Sequence, residues 1–125
     1  MCHVIPVNYD DDDLVTMLDA GDAKTLDDAA FGIIVMNETG FVQSYNRYES
    51  ALSGLSSDFV VGKHFFTAVA PCTNNFLVAQ RFEDETPLDA VLDYVFTLKM
   101  RPTKVKLRLL KSAVTRRHYL LVVRR

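Results

Sequence analysis

The stretch Phe31-Gly32-Ile33-Ile34-Val35-Met36-Asn37-Glu38-Thr39-Gly40-Phe41-Val42-Gln43-Ser44-Tyr45 decides how the fold is read. A nearly continuous apolar run, four turn-forming residues and a second run rich in aromatic and β-branched residues predict a strand, a tight loop and a strand. Gly40 supplies the positive φ that such a loop needs. No glycine-rich phosphate loop follows. Asn46 is placed to cap a short helix from Arg47 to Leu52 that stops near Gly54. Ser56 or Ser57 then caps a further turn carrying Phe59, Val60 and Val61, which Gly62 ends.

Downstream, Asn75 is a candidate N-cap for a longer helix from Phe76 to about Glu85, with Phe76, Ala79 and Phe82 spaced for one face and Pro87 closing it. Ala90, Leu92, Tyr94, Phe96, Leu98 and Met100 then share one parity, while Asp93, Thr97, Lys99 and Arg101 share the other, which predicts a long half-buried strand. Arg101-Pro102-Thr103 turns the chain into Val105, Leu107 and Leu109, alternating with Lys104, Lys106 and Arg108. A last strand runs from about His118 to Arg124. The expectation is an α+β domain. Its five-stranded antiparallel sheet has one face wet and basic, and short helices close a pocket over the other.

Residues 1–28 read as an N-terminal helical cap on a core spanning 29–125. Asp10 to Asp13 stand where a helix N-terminus favours carboxylates, ahead of Leu14, Met17 and Leu18; Ala20-Gly21 ends that helix, and Ala23 to Asp28 form another turn or two. With few large apolar residues, the cap is expected to have low local stability.

At 125 residues and 49% hydrophobic composition, one domain with one core is expected. A net charge of −2, from 14 basic and 16 acidic residues, argues against a polyanion-binding protein, so nucleic acid is not an expected partner. No apolar run is long enough to span a bilayer, and acidic residues stand where a signal peptide needs its apolar core; a cytoplasmic protein with no membrane partner is expected. The two cysteines, Cys2 and Cys72, make no disulfide framework, and no Cys/His spacing suits zinc. Cys2 is read as incidental.

Cys72 follows Pro71 on a stiff loop, after the apolar residues Phe65, Phe66, Ala68, Val69 and Ala70. Taken alone it reads as an inert buried thiol. Tyr45 and Glu49, four apart, reach one another if Tyr45 lies at a helix entrance; taken alone, they read as a core tyrosine and a solvated glutamate. A thiol enzyme would require His64 to meet Cys72 across the loop, and Arg47, His64 and His118 are all expected at the surface.

The order of hairpin, short helices, longer helix and three strands is that of a PAS domain. Within it, Gly62 to Thr73 closely resembles the Gly-Lys-x-Phe-Phe-x-x-Val-Ala-Pro-Cys-Thr stretch of the photoactive yellow protein family. Met100 to Lys106 resembles that family's Met-x-Pro-Thr-Lys-Val-Lys stretch, and Ala30-Phe31-Gly32, Tyr45-Asn46 and Glu49 fall at matching places. The resemblance implies a blue-light photoreceptor rather than an enzyme, with p-coumaric acid (4-hydroxycinnamic acid) bound to Cys72 as a thioester. It implies that Tyr45 and Glu49 hold the phenolic end, with Ser53 at the family's threonine position, and that Phe65, Phe66, Phe96 and Met100 line the pocket. It further implies trans–cis photoisomerisation, proton transfer from Glu49 to the phenolate, rearrangement of the N-terminal cap, and output through an unknown downstream signalling protein. The alternative is a pigment-free PAS interaction module in which Cys72 is structural.

This constellation suits the chemistry. A phenol titrates near 10 in water, so an anion at neutral pH needs about 4 kcal/mol of preferential stabilisation, less any contribution from conjugation to an acyl group. Two short hydrogen bonds in a low-dielectric pocket supply stabilisation of that order. The sequence also departs from the family: Leu55 stands at an arginine position and Leu98 at a tyrosine of the pocket wall.

Overall fold

A computed structural model describes residues 14–20, 23–85, 88–98, 101–112 and 115–124. Asp10 to Asp13, Cys2, Pro87, Lys99 and Met100 lie outside the described residues. The strands are β1 (Gly32–Met36), β2 (Val42–Tyr45), β3 (Leu88–Leu98), β4 (Arg101–Lys111) and β5 (His118–Arg124). They form one antiparallel sheet in the order β2-β1-β5-β4-β3. The hairpin forms where the sequence places it. Gly40 has φ 91°, and the Asn37 carboxamide oxygen ties the loop by accepting from Thr39 N at 2.9 Å and Phe41 N at 3.0 Å.

β1 is buried along its whole length because it is covered on both faces. Ile34 and Met36 join one core cluster with Leu107, Leu109, Leu120 and Val122, under the helices that follow the hairpin. Ile33 and Val35 join a second cluster with Leu110, Tyr119 and Leu121. The wet, basic face expected from the alternation in β4 is therefore largely covered. Helices α1 (Leu14–Ala20) and α2 (Ala23–Asp27) bring Leu18 and Leu26 down onto it. Arg108, on that same face, is buried against Asp89, with Nε–Oδ1 at 3.0 Å and Nη2–Oδ2 at 2.9 Å. Of the basic residues in that alternation, Lys104 remains exposed and Lys106 half-buried.

A polar contact fixes α1 as well. Asp19, on α1, accepts hydroxyl hydrogen bonds from Ser112 at 2.5 Å, Tyr119 at 2.5 Å and Thr115 at 2.9 Å. Burial, reinforced by this bond to Asp19, pushes the Tyr119 phenol up to about 12, so it stays a donor. Asp19→Ala is expected to lower unfolding stability by about 2 kcal/mol in urea titrations, because charge-assisted bonds are lost and a buried phenol loses its acceptor. Amide exchange in α1 should accelerate in the same variant.

On the opposite side run α3 (Arg47–Ser53), α4 (Ser57–Val60) and α5 (Ala79–Asp84). Asn46 caps α3 by accepting from Glu49 N, and Ser56 caps α4 by accepting from Phe59 N. The helix expected from Phe76 begins only at Ala79. Asn75 Oδ1 accepts from both Leu77 N (2.9 Å) and Val78 N (3.2 Å), which closes a turn over Phe76 to Val78 instead of a first helical turn. Phe76 is consequently 76% exposed, whereas Phe82 is buried. A π-helical turn at Phe65–Val69 and a 3₁₀ turn at Pro71–Thr73 connect α4 to this segment.

Candidate functional site

Tyr45 ends β2 and Glu49 sits in the first turn of α3, so the hairpin and the cap together set their separation. Both side chains are buried, Glu49 completely. The Tyr45 hydroxyl lies 2.8 Å from Ser53 Oγ and 3.4 Å from Glu49 Oε2. Its single proton serves the shorter bond, so Tyr45 donates to Ser53, and Ser53 Oγ in turn accepts from Leu55 N at 3.1 Å. A side chain at position 32 would displace Glu49: a Cβ built on Gly32 would collide with Glu49 Oε1. β1 therefore lies directly against the Glu49 carboxyl.

Asn46 holds this corner together. Its Oδ1 accepts from Ile33 N (2.9 Å) and Glu49 N (3.1 Å), and its Nδ2 donates to Phe31 O (2.9 Å) and Leu26 O (2.8 Å). The last contact reaches α2, and Arg47 N adds a bond to Asp27 Oδ1 at 2.8 Å. The helix that carries Glu49 is thus tied to the N-terminal segment.

The Cys72 loop owes its shape to two unusual turns. Ala70 N donates back to Phe65 O at 2.8 Å, closing the π-helical turn, and Pro71 begins the 3₁₀ turn where its missing N–H costs nothing. Thr73 secures the turn through its N (2.9 Å) and Oγ1 (2.7 Å), both on Ala70 O. Cys72, at the centre, is half-buried and not in a disulfide. It packs against the same core cluster that contains Tyr45, Phe65, Phe66 and Phe96, with Leu55 and Tyr94 also against it. Phe65 and Phe66 meet edge to face at 5.4 Å.

Of the residues singled out from sequence, the structure gathers Tyr45, Glu49 and Ser53 in one hydrogen-bonded group and Cys72, Phe65, Phe66 and Phe96 around the adjoining core. Met100 is outside the described residues. Two contacts carry no signal in the spacing: Tyr94 OH donates to Cys72 O at 2.5 Å, and Asn75 Nδ2 donates to Tyr94 OH at 2.6 Å. Tyr94 lies on the inward parity of β3, which predicts its direction but not its partner.

The three expected surface residues divide. Arg47 is exposed and His64 half-buried. His64 Nε2 donates to Thr39 O at 3.0 Å, which leaves Nδ1 to accept from Thr67 at 3.1 Å. Both ring nitrogens are engaged away from Cys72, so the pairing that a thiol enzyme would need is not formed. His118 corrects the expectation: it is 4% exposed, because Phe82 stacks on its ring at 4.9 Å and 13°, and its Nδ1 makes no hydrogen bond. Burial, with the Lys111 charge adding to it, pulls this imidazole down to about 4.

An unfolded histidine titrates near 6.5, so between about 6.5 and 4 the unfolded chain binds more protons. The stability that neutral His118 contributes is fully present above that window and drains as pH falls through it. Unfolding stability is expected to drop by about 2 kcal/mol from pH 7 to pH 5 on this account, and His118→Phe should flatten that slope in urea titrations at the two pH values.

Among the described residues, no helix is long and apolar enough to cross a membrane, and no group of His, Cys, Asp and Glu is arranged to hold a metal. No protein-family model matches the chain. The chain is 41% identical to photoactive yellow protein of Rhodothalassium salexigens over 95% of its own length and 97% of that protein's. It is 34% identical to photoactive yellow protein of Halochromatium salexigens over 94% of the chain and 97% of that protein. Among solved structures, the photoactive yellow protein domain of the sensor histidine kinase Ppr from Rhodospirillum centenum superposes with a TM-score of 0.79 at 36% identity, covering 87% of the chain and 98% of that domain. The PAS domain of an HTR-like protein from Haloarcula marismortui, at 12% identity and a TM-score of 0.69 over 82% of the chain and 93% of that domain, shares the fold alone. With a five-stranded PAS sheet, a buried Tyr45–Glu49 pair whose tyrosine joins the core cluster that Cys72 packs against, and identity sustained across nearly its whole length, this chain belongs to the photoactive yellow protein family of photoreceptors.

Proposed function

We propose that Cys72 carries p-coumaric acid (4-hydroxycinnamic acid) as a thioester, and that Tyr45 and Glu49 hold the phenolic oxygen. The observation that carries this reading is the hydrogen-bonded group of Tyr45, Glu49 and Ser53 buried at the edge of the core on which Cys72 packs. A purely structural thiol would need no polar cluster of that kind within its core, and two buried oxygen functions beside the half-buried Ser53 hydroxyl suit a ligand with one polar end.

When bound, the pigment supplies absorption of blue light and a double bond that isomerises from trans to cis. The chain's own residues do the rest. Cys72 fixes one end, and Phe65, Phe66 and Phe96 exclude water, with Met100 assigned to the same wall. Tyr45, turning its hydroxyl from Ser53, and protonated Glu49 donate to the phenolate. A completely buried carboxyl is favoured in its neutral form, so Glu49 has a proton to give. Once that proton leaves, Glu49 is a buried anion, and the cost of keeping it so drives local rearrangement.

Asn46 offers the route outward, since it joins the Glu49 helix to Leu26 in α2. On this reading residues 1–28 act as a releasable cap on the 29–125 core, and the released face or the cap itself passes the signal to a downstream protein. A photoactive yellow protein domain also occurs within the sensor histidine kinase Ppr, which is in keeping with a signalling partner. Catalysis, nucleic-acid binding and membrane association have no part in the proposal, and a cytoplasmic site of action fits it.

The test is reconstitution of the apoprotein with activated p-coumaric acid, followed by peptide mapping and absorption spectroscopy. A p-coumaroyl mass on the peptide containing Cys72, together with a visible band that bleaches under blue light and returns in the dark, is expected. Absence of both would leave a pigment-free PAS interaction module with a structural Cys72.

A further inference from the structure

The Cys72 carbonyl is held from two sides. Tyr94 OH donates to it at 2.5 Å from β3, and Asn75 Nδ2 reaches it at 3.2 Å from the following turn. The two holders are themselves joined, because Asn75 Nδ2 also donates to Tyr94 OH at 2.6 Å. That bond orients the tyrosine hydroxyl: with its oxygen accepting from Asn75, its one proton points to Cys72 O. Asn75 is fixed in turn by accepting from Leu77 N and Val78 N. The ring of Tyr94 meets Phe96 edge to face at 6.2 Å, so the same side chain touches a wall of the core and the backbone of the thiol.

We propose that Tyr94 is a positioning residue for Cys72: its hydroxyl, oriented by Asn75, clamps the Cys72 peptide and fixes where the pigment's sulfur sits relative to the sheet. The inference rests on the reading of Cys72 as the attachment residue. The physical consequence concerns the thermal return step. A fixed anchor prevents the backbone from yielding when the bound group changes shape, so the strain of the altered shape stays in the site and favours reversal. A loosened anchor relaxes around the new shape and holds it longer. Ser112, Thr115 and Asp19 form another polar cluster elsewhere, but it holds α1 and not the thiol loop.

Tyr94→Phe removes only the hydroxyl and keeps the ring against Phe96, so the fold should be retained. Two readouts separate the outcomes. In apoprotein carrying Cys2→Ser and cysteine labelled with ¹³C at its carbonyl, the labelled amide vibration should move to higher frequency in Tyr94→Phe, as expected when a carbonyl loses a hydrogen bond. In reconstituted protein, dark recovery after a blue flash should slow about five-fold, the equivalent of about 1 kcal/mol on the barrier. An unshifted carbonyl vibration, or recovery within two-fold of the unmutated protein, would overturn the proposal. Failure of the unmutated protein to take up the pigment at all would instead overturn the attachment reading, and with it the role assigned to Tyr94.

Discussion

Cys72→Ala is expected to yield a folded, colourless protein that takes up no p-coumaroyl group. The thiol is half-buried in a short 3₁₀ turn whose hydrogen bonds run through the Ala70, Pro71 and Thr73 backbone, so the turn does not depend on the sulfur. Removing it should cost the fold about 1 kcal/mol, within the range of a small-side-chain truncation. On the proposed attachment the pigment would lose its covalent hold, and reversible binding of a small acid to the remaining pocket lacks the effective concentration that a covalent bond provides. Unfolding titrations should therefore nearly superpose on the unmutated apoprotein, while intact mass and the visible band separate completely. Retention of a full visible band in Cys72→Ala would place the attachment elsewhere.

Glu49→Gln is expected to leave a coloured protein with its proton transfer disabled. An amide is nearly the size of the carboxyl, so the buried space between Gly32 and Tyr45 can accept it without displacing β1. It still donates a hydrogen bond to the phenolate, but a weaker one. A loss of about 1–2 kcal/mol in anion stabilisation raises the apparent pKa of the pigment by about one unit and shifts the band to longer wavelength. The amide holds no proton that it can surrender at neutral pH. After a flash the phenolate must then take its proton from water, and the rate of that step should become dependent on buffer and pH. A spectrum and photocycle identical to the unmutated protein would show that Glu49 does not face the pigment. Because the pigment's phenol and Glu49 would share one proton, their apparent pKa values would belong to the pair and not to either member.

Most of the fold is legible in the sequence because its strands alternate and its first hairpin announces itself; the turn expected at Arg101-Pro102-Thr103 is instead the start of β4, paired with Phe96 to Leu98. Gly40 and Asn37 define the hairpin, Asn46 the start of α3, and the parity of Leu92, Tyr94 and Phe96 the direction of β3. The burial of the second sheet face is harder to read. The unbroken apolar run of β1 is consistent with cover on both faces, but Lys104, Lys106 and Arg108 alternate as they would beside water. The cover depends on where Leu18 and Leu26 land, a long-range question that local periodicity does not answer. His118 shows the same limit, since only the arrival of Phe82 from a distant helix turns a polar strand end into a buried stack. At the site, the closeness of Tyr45 and Glu49 follows from the strand-to-helix junction, with Tyr45 ending β2 and Asn46 capping the helix that carries Glu49. The Tyr94–Cys72 contact, 22 residues apart in sequence, depends on how the loop docks on β3 and leaves no local mark.

In the proposed mechanism the site joins a pigment on Cys72 to a proton held by Glu49. The measurement that tests it most directly is the light-minus-dark infrared difference spectrum of the reconstituted protein, recorded beside Glu49→Gln. Illumination is expected to remove the vibration of a protonated buried carboxyl, and this change should be missing from Glu49→Gln. A visible bleach with the carboxyl band unchanged, or with the same change persisting in Glu49→Gln, would contradict it.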